Sequence, residues 1–153
     1  VCAYGERSSY LVSTDGPSES EVMSEYLTAL LPKTSHAEIV VWSKKRKVLS
    51  GKTNTYQELQ NVFELAAERG YRSVGIVTVL VHYARSLLMA ERHLAKQAFA
   101  HLTLQAYTSE EILLRSDPDC FGSRVGMMHS SRAFMRTLSY EQRGINCLLA
   151  GNY

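Results

Sequence analysis

Short apolar runs alternate with helix-length amphipathic stretches along this chain, and that alternation constrains the fold more than any other feature. The clearest run is Val74-Gly75-Ile76-Val77-Thr78, which is apolar at odd and even positions alike. A strand of that kind belongs at the centre of a parallel sheet, buried on both faces. Weaker runs lie at residues 10–13 (YLVS) and 38–42 (EIVVW), and at 100–106, where Ala100, Leu102, Leu104 and Ala106 alternate. Strands separated by helices with short connections pair in parallel and carry helices on their faces. The expectation is an α/β domain on a mainly parallel sheet.

The helices between the runs carry their own boundary signals. Ser18 with Glu21 forms a capping box, and Val22, Met23, Tyr26, Leu27, Leu30 and Leu31 recur at helical spacing as one inward stripe. Pro32 ends that helix. Thr55 with Glu58 opens a second, whose apolar face is Leu59, Val62, Phe63, Ala66 and Ala67, and Gly70 is placed to close it. A third begins near His82, with Leu87, Leu88 and Leu94 inward. Residues 109–115 read as a short helix, 117–125 as irregular, and 130–149 as a longer terminal helix with Gly144 as its weak point.

A chain of 153 residues, 45% hydrophobic and 21% charged, fits one domain with a real core. Residues 1–153 are expected as a single domain, with 10–106 the alternating core and 107–153 a helical segment. Seventeen basic against fifteen acidic residues is too even a balance to imply nucleic acid or an anionic membrane. The longest apolar stretch is about eight residues, well short of the roughly 20 that a membrane span needs. Cys2, Cys120 and Cys147 are odd in number and far apart, which argues against a zinc site and slightly favours a reducing, cytoplasmic setting. His36, His93, His101 and His129 show no ligand spacing. The chain opens on Val1, as a processed chain or a piece of a longer one does.

In a parallel α/β sheet, ligands bind at the carboxyl ends of the strands. The segments that follow the expected strands hold Ser13, Ser18 and Glu19, then Asn54 and Thr55, then Thr78, His82 and Arg85. His82 and Arg85 share a helix face near an N-terminus, where backbone N–H groups and a guanidinium suit an anion. Each has a plainer alternative. Thr55 and Ser18 are also good helix caps, and Glu19 is favoured by the helix dipole in any case. His82 and Arg85 can equally be surface or ion-pair residues. The Lys44-Lys45-Arg46-Lys47 run reads as a solvated loop, with attraction of an anionic ligand as its other reading.

Three stretches together resemble the SanA/ElyC/YdcF-like family of bacterial proteins. Residues 10–27 (YLVSTDGPSESEVMSEYL) are similar to its strand, Ser-Gly turn and helix start. Residues 52–58 (KTNTYQE) are similar to its Ser-x-Asn-Thr-x-Glu-Asn motif, and 77–88 (VTVLVHYARSLL) to its Val-Thr-Ser-x-x-His-x-x-Arg-Ala motif. The departures are Thr14-Asp15 for a glycine, Lys52 for Ser, Gln57-Glu58 for Glu-Asn, and Leu49 where an acidic residue is usual. The family's N-terminal strand is missing on this alignment, and residues 1–5 look like the end of the helix that follows it.

The resemblance implies a three-layer α/β/α Rossmann-like fold with about four to five strands. It also implies a role in bacterial envelope biogenesis on a small anionic ligand, phosphorylated, adenosyl-type or nucleotide-like. His82 and Glu19 would carry acid/base chemistry. Ser13, Ser18, Asn54, Thr55, Thr78 and Arg85 would hold the ligand. The competing expectation is a non-catalytic ligand sensor or protein-interaction module on the same fold, favoured by the substitutions at Lys52, Gln57 and Glu58.

Overall fold

The computed structural model describes residues 2–4, 19–30, 40–42 and 55–152. The chain divides into two compact units, Val1–Asn54 and Thr55–Tyr153. The protein is mixed α/β and mostly helical. No helix among the described residues is long and apolar enough to cross a membrane.

In the first unit, β1 (Cys2–Tyr4) pairs in parallel with β2 (Val40–Trp42), Cys2 opposite Val40 and Tyr4 opposite Trp42. Helix α1 (Glu19–Leu30) packs against both strands. Residues 2–4 are therefore a strand, not the helix end expected there. Three residues carry too little periodicity to distinguish the two, and pairing with a distant segment decides. The expected strand at 10–13, the turn at 14–17 and the basic run at 44–47 lie outside the described residues. Helix α1 lies within the expected helix, whose cap Ser18 and stop Pro32 are outside the described residues, but its stripe is not wholly inward: Tyr26 and Leu30 are 70% and 77% exposed, while Val22 is half-buried. Positions four apart advance 400° around the helix, a 40° drift per step, so this row turns out of cover along α1.

The second unit is built on a β–α–β crossover. Helix α2 (Thr55–Glu68) leads into β3 (Ser73–Thr78), α3 (Leu80–Leu94) follows, a single 3₁₀ turn spans Gln97–Phe99, and β4 (Thr103–Thr108) pairs in parallel with β3. Three helices complete it: α4 (Ser109–Ser116), α5 (Pro118–His129) and α6 (Arg132–Leu149). The core joins Leu59, Phe63 and Ala66 of α2 to Val74 of β3, Met89 and Ala90 of α3, Phe99, Leu102, and Leu148 of α6. Gly70 closes α2 as expected: its φ is +68°, its N–H reaches the Ala67 carbonyl, and the Tyr71 N–H reaches that of Ala66. That left-handed position with its paired bonds is a Schellman stop, which glycine adopts without strain.

The central-strand expectation fails at one face. Along β3, Val74, Ile76 and Thr78 turn to the helices while Ser73, Gly75 and Val77 are exposed, Val77 at 60%. Along β4, Thr103, Gln105 and Tyr107 are exposed likewise. Helices α2 and α3 touch one another, so both lie over the same face of the pair. An apolar run reports that a strand can be buried on two sides, not which of its faces is covered.

Two further expectations move. Residues 118–129 are helical where an irregular segment was expected. Asp117 accepts the Cys120 N–H and Pro118 takes the first helical position, together a start signal that outweighs Gly122 and Gly126. Helix α6 runs unbroken through Gly144.

His93 sits fully buried on α3, on the face that also buries Ser86, Met89 and Ala90. Its Nε2 lies 2.9 Å from the Tyr56 carbonyl and its Nδ1 accepts from Lys96 Nζ at 3.1 Å, so the ring is neutral with the proton on Nε2. The Tyr56 ring lies against it, tilted by 35°, with the centroids 4.0 Å apart. Burial is the main cause that lowers the His93 pKa from 6.5; Lys96 adds to it, and the Tyr56 carbonyl and Glu64 oppose it. Because the folded pKa is depressed, the unfolded chain binds more protons below pH 6.5, and the stability His93 contributes above that pH is lost as the pH falls. Thermal melts from about pH 7.5 to about pH 5.5 should show falling stability, by at most about 1.4 kcal/mol per pH unit from this group. The slope should flatten in His93→Gln.

Candidate functional site

The carboxyl ends of β3 and β4 meet at paired residues Thr78 and Thr108, and the first turns of α3 and α4 begin there. Thr108 is buried and its hydroxyl accepts the Glu111 N–H, capping α4. Helix α3 has no side-chain cap of its own at Val79. Its cap comes from 30 residues away: the buried Glu110 carboxylate accepts the Leu80 N–H at 2.9 and 3.0 Å. Burial pushes this carboxyl up, and it is the largest single effect. The Leu80 and Glu110 N–H groups, the Ser109 hydroxyl and His129 together outweigh it and hold the pKa below 4.5. His129 Nε2 lies 3.9 Å from Glu110, and its ring meets that of Phe134 at a tilt, centroids 4.8 Å apart.

A second buried carboxylate stands one turn further along α3. Glu141 of α6 takes Arg85 in a two-pronged pair, Nε to Oε2 at 2.6 Å and Nη2 to Oε1 at 3.0 Å. His82 Nδ1 lies 3.0 Å from the same Oε1. The Glu141 side chain is only 8% exposed, that of Arg85 22%, that of His82 41%. Arg85 reaches this position because residue 144 is glycine: a Cβ there would stand 2.9 Å from Arg85 Cδ. The glycine that looked like a helix interruption is a trough for an arginine.

The sequence-expected residues are thus distributed unevenly. Thr78, His82 and Arg85 gather at the strand ends. Thr55 opens α2, and the carbonyl of its neighbour Tyr56 meets His93 near the far end of α3, 11 residues from His82 and about 16 Å along the helix. Glu19 opens α1 in the first unit. Ser13, Ser18 and Asn54 lie outside the described residues. The Arg85 fork, expected to face a ligand, is engaged by Glu141.

No known family model matches the chain, and no curated protein or solved structure does either. The site is therefore read from its own chemistry.

Glu141 and Glu110 were not singled out by sequence reasoning. Glu141 did leave a signal. Phe134, Thr137, Glu141, Ile145 and Leu148 recur at three and four, and all are at least half-buried. A carboxylate on an inward stripe needs a buried partner. Glu110 left none, because an acidic residue in a first helical turn has a sufficient reason to be there.

What the arrangement can do follows from exposure. Arg85 and Glu141 are withdrawn and mutually neutralised. His82 keeps one ring edge against Glu141 and the rest toward solvent. An imidazole oriented by a carboxylate at the open end of parallel strands is equipped to take or give a proton.

Proposed function

We propose that the protein binds a small phosphorylated or nucleotide-like ligand at the carboxyl ends of β3 and β4, with His82 as the acid/base group. The observation that carries this reading is the buried Glu141 behind a part-exposed His82, at the end of the sheet where such folds bind ligands. Thr78 and the adjoining turn supply polar groups there. Arg85 serves by holding Glu141 instead of clamping the ligand directly. The resemblance to the SanA/ElyC/YdcF-like family supplies the setting, bacterial envelope biogenesis. The parallel pairing in each unit and the β3–α3–β4 crossover support the finer reading of a Rossmann-like fold.

A second reading has its own observation. Both groups that would attract an external anion, the α3 N-terminus and the Arg85 fork, are already satisfied by internal carboxylates. That favours a non-catalytic interaction module on the same fold. Calorimetric titration of the full chain with pyrophosphate, AMP and a nucleoside-diphosphate sugar separates the two. Saturable binding of a nucleotide, with turnover lost in His82→Ala and binding kept, supports the first reading. No binding across the three ligands supports the second. Alanine variants at Ser13, Ser18, Glu19 and Asn54 in the same titration show which of them contribute.

A further inference from the structure

A neutral imidazole carries one proton, and the nitrogen that holds it is set by what the other nitrogen faces. In His82 the deciding atom is Nδ1. It is buried, and no aligned hydrogen-bond partner serves it as the structure stands. The group beside it is Glu141 Oε1 at 3.0 Å. A lone pair on Nδ1 would face a carboxylate oxygen across that distance, acceptor against acceptor. A proton on Nδ1 removes the conflict and needs only a small ring rotation to become a charge-assisted bond.

Glu141 cannot turn aside to relieve the contact. Both of its oxygens are held by the Arg85 fork, and Arg85 lies in the trough at Gly144, three residues beyond Glu141 on the same face of α6. The chain of contacts thus runs from a missing Cβ through a guanidinium and a carboxylate to one ring nitrogen.

We propose that Glu141 is a positioning residue that locks His82 as the Nδ1–H tautomer and leaves Nε2 as the basic nitrogen, and that Gly144 makes the lock possible. The use of that nitrogen in chemistry rests on the function proposed above; the lock itself does not.

The experiment is long-range ¹H–¹⁵N correlation spectroscopy of the ¹⁵N-labelled full chain near pH 8.5, about two units above the usual imidazole titration. His82→Gln assigns the signal among the 5 histidines. The expected pattern is a protonated Nδ1 and an unprotonated Nε2. A protonated Nε2, or an averaged pair, overturns the proposal. In Gly144→Ala, which keeps a good helix former in α6, the displaced Arg85 should release Glu141 and the His82 signal should average. An unchanged signal in that variant overturns the part assigned to Gly144. Glu141→Gln should release the lock in the same way, and Gly144→Ala stands in for it if that variant does not fold. A locked tautomer with no ligand bound would sink the proposed function alone. Ligand binding with an averaged tautomer would sink this inference alone.

Discussion

Glu141→Ala should destabilise the protein by about 3–5 kcal/mol, read from urea unfolding at neutral pH. The loss comes less from the pair's own attraction than from what remains. Arg85 would keep its charge in a largely buried slot with its two-pronged partner gone, and His82 Nδ1 would face a cavity. The double variant Arg85→Met with Glu141→Leu should recover most of that loss, since it leaves no buried charge behind. A Glu141→Ala protein as stable as the parent would mean that water or another carboxylate replaces the partner, and that the site is open. Arg85→Lys should also lower stability, because lysine keeps the charge but cannot match both carboxylate oxygens. On the ligand-binding reading of the sequence, Arg85→Lys should leave the melt nearly unchanged. The bidentate pair with Glu141 turns that expectation around.

Phe63→Ala should cost about 3–5 kcal/mol, while Val77→Ala should stay within about 0.5 kcal/mol of the parent. Phe63 is fully buried and its ring lies 5.7 Å from that of Phe99, so its removal leaves a cavity where α2 meets the turn before β4. Val77 is 60% exposed, and deleting its methyl groups empties no packed space. The two variants compared by thermal melting test the exposure of Val77 on β3. A large loss at Val77 would show that a second layer covers Ser73, Gly75 and Val77 after all.

The elements were legible where a local signal sufficed. Helix α2 shows its face as Leu59, Phe63 and Ala66, and its stop as Gly70, because periodicity and a left-handed glycine are local. Strand β3 is visible as an apolar run for the same reason. Helix α5 stands where an irregular segment is expected, although Asp117 and Pro118 are a local start signal for it. Of the site, His82 and Arg85 were legible as a pair three residues apart on one helix. Their partner was not, because 56 residues separate Arg85 from Glu141 in sequence.

The amino-acid sequence alone determined which segments are strands and helices over most of 55–152 and that β3 and β4 run parallel, since both follow from spacing, caps and connection length. It also put His82 and Arg85 side by side. Only the tertiary structure decided which face of β3 is covered, because an apolar side chain tolerates burial without specifying what buries it. Only the tertiary structure decided what Arg85 does. A guanidinium binds any carboxylate or phosphate of suitable geometry, and here Glu141 reaches it first because Gly144 leaves the room.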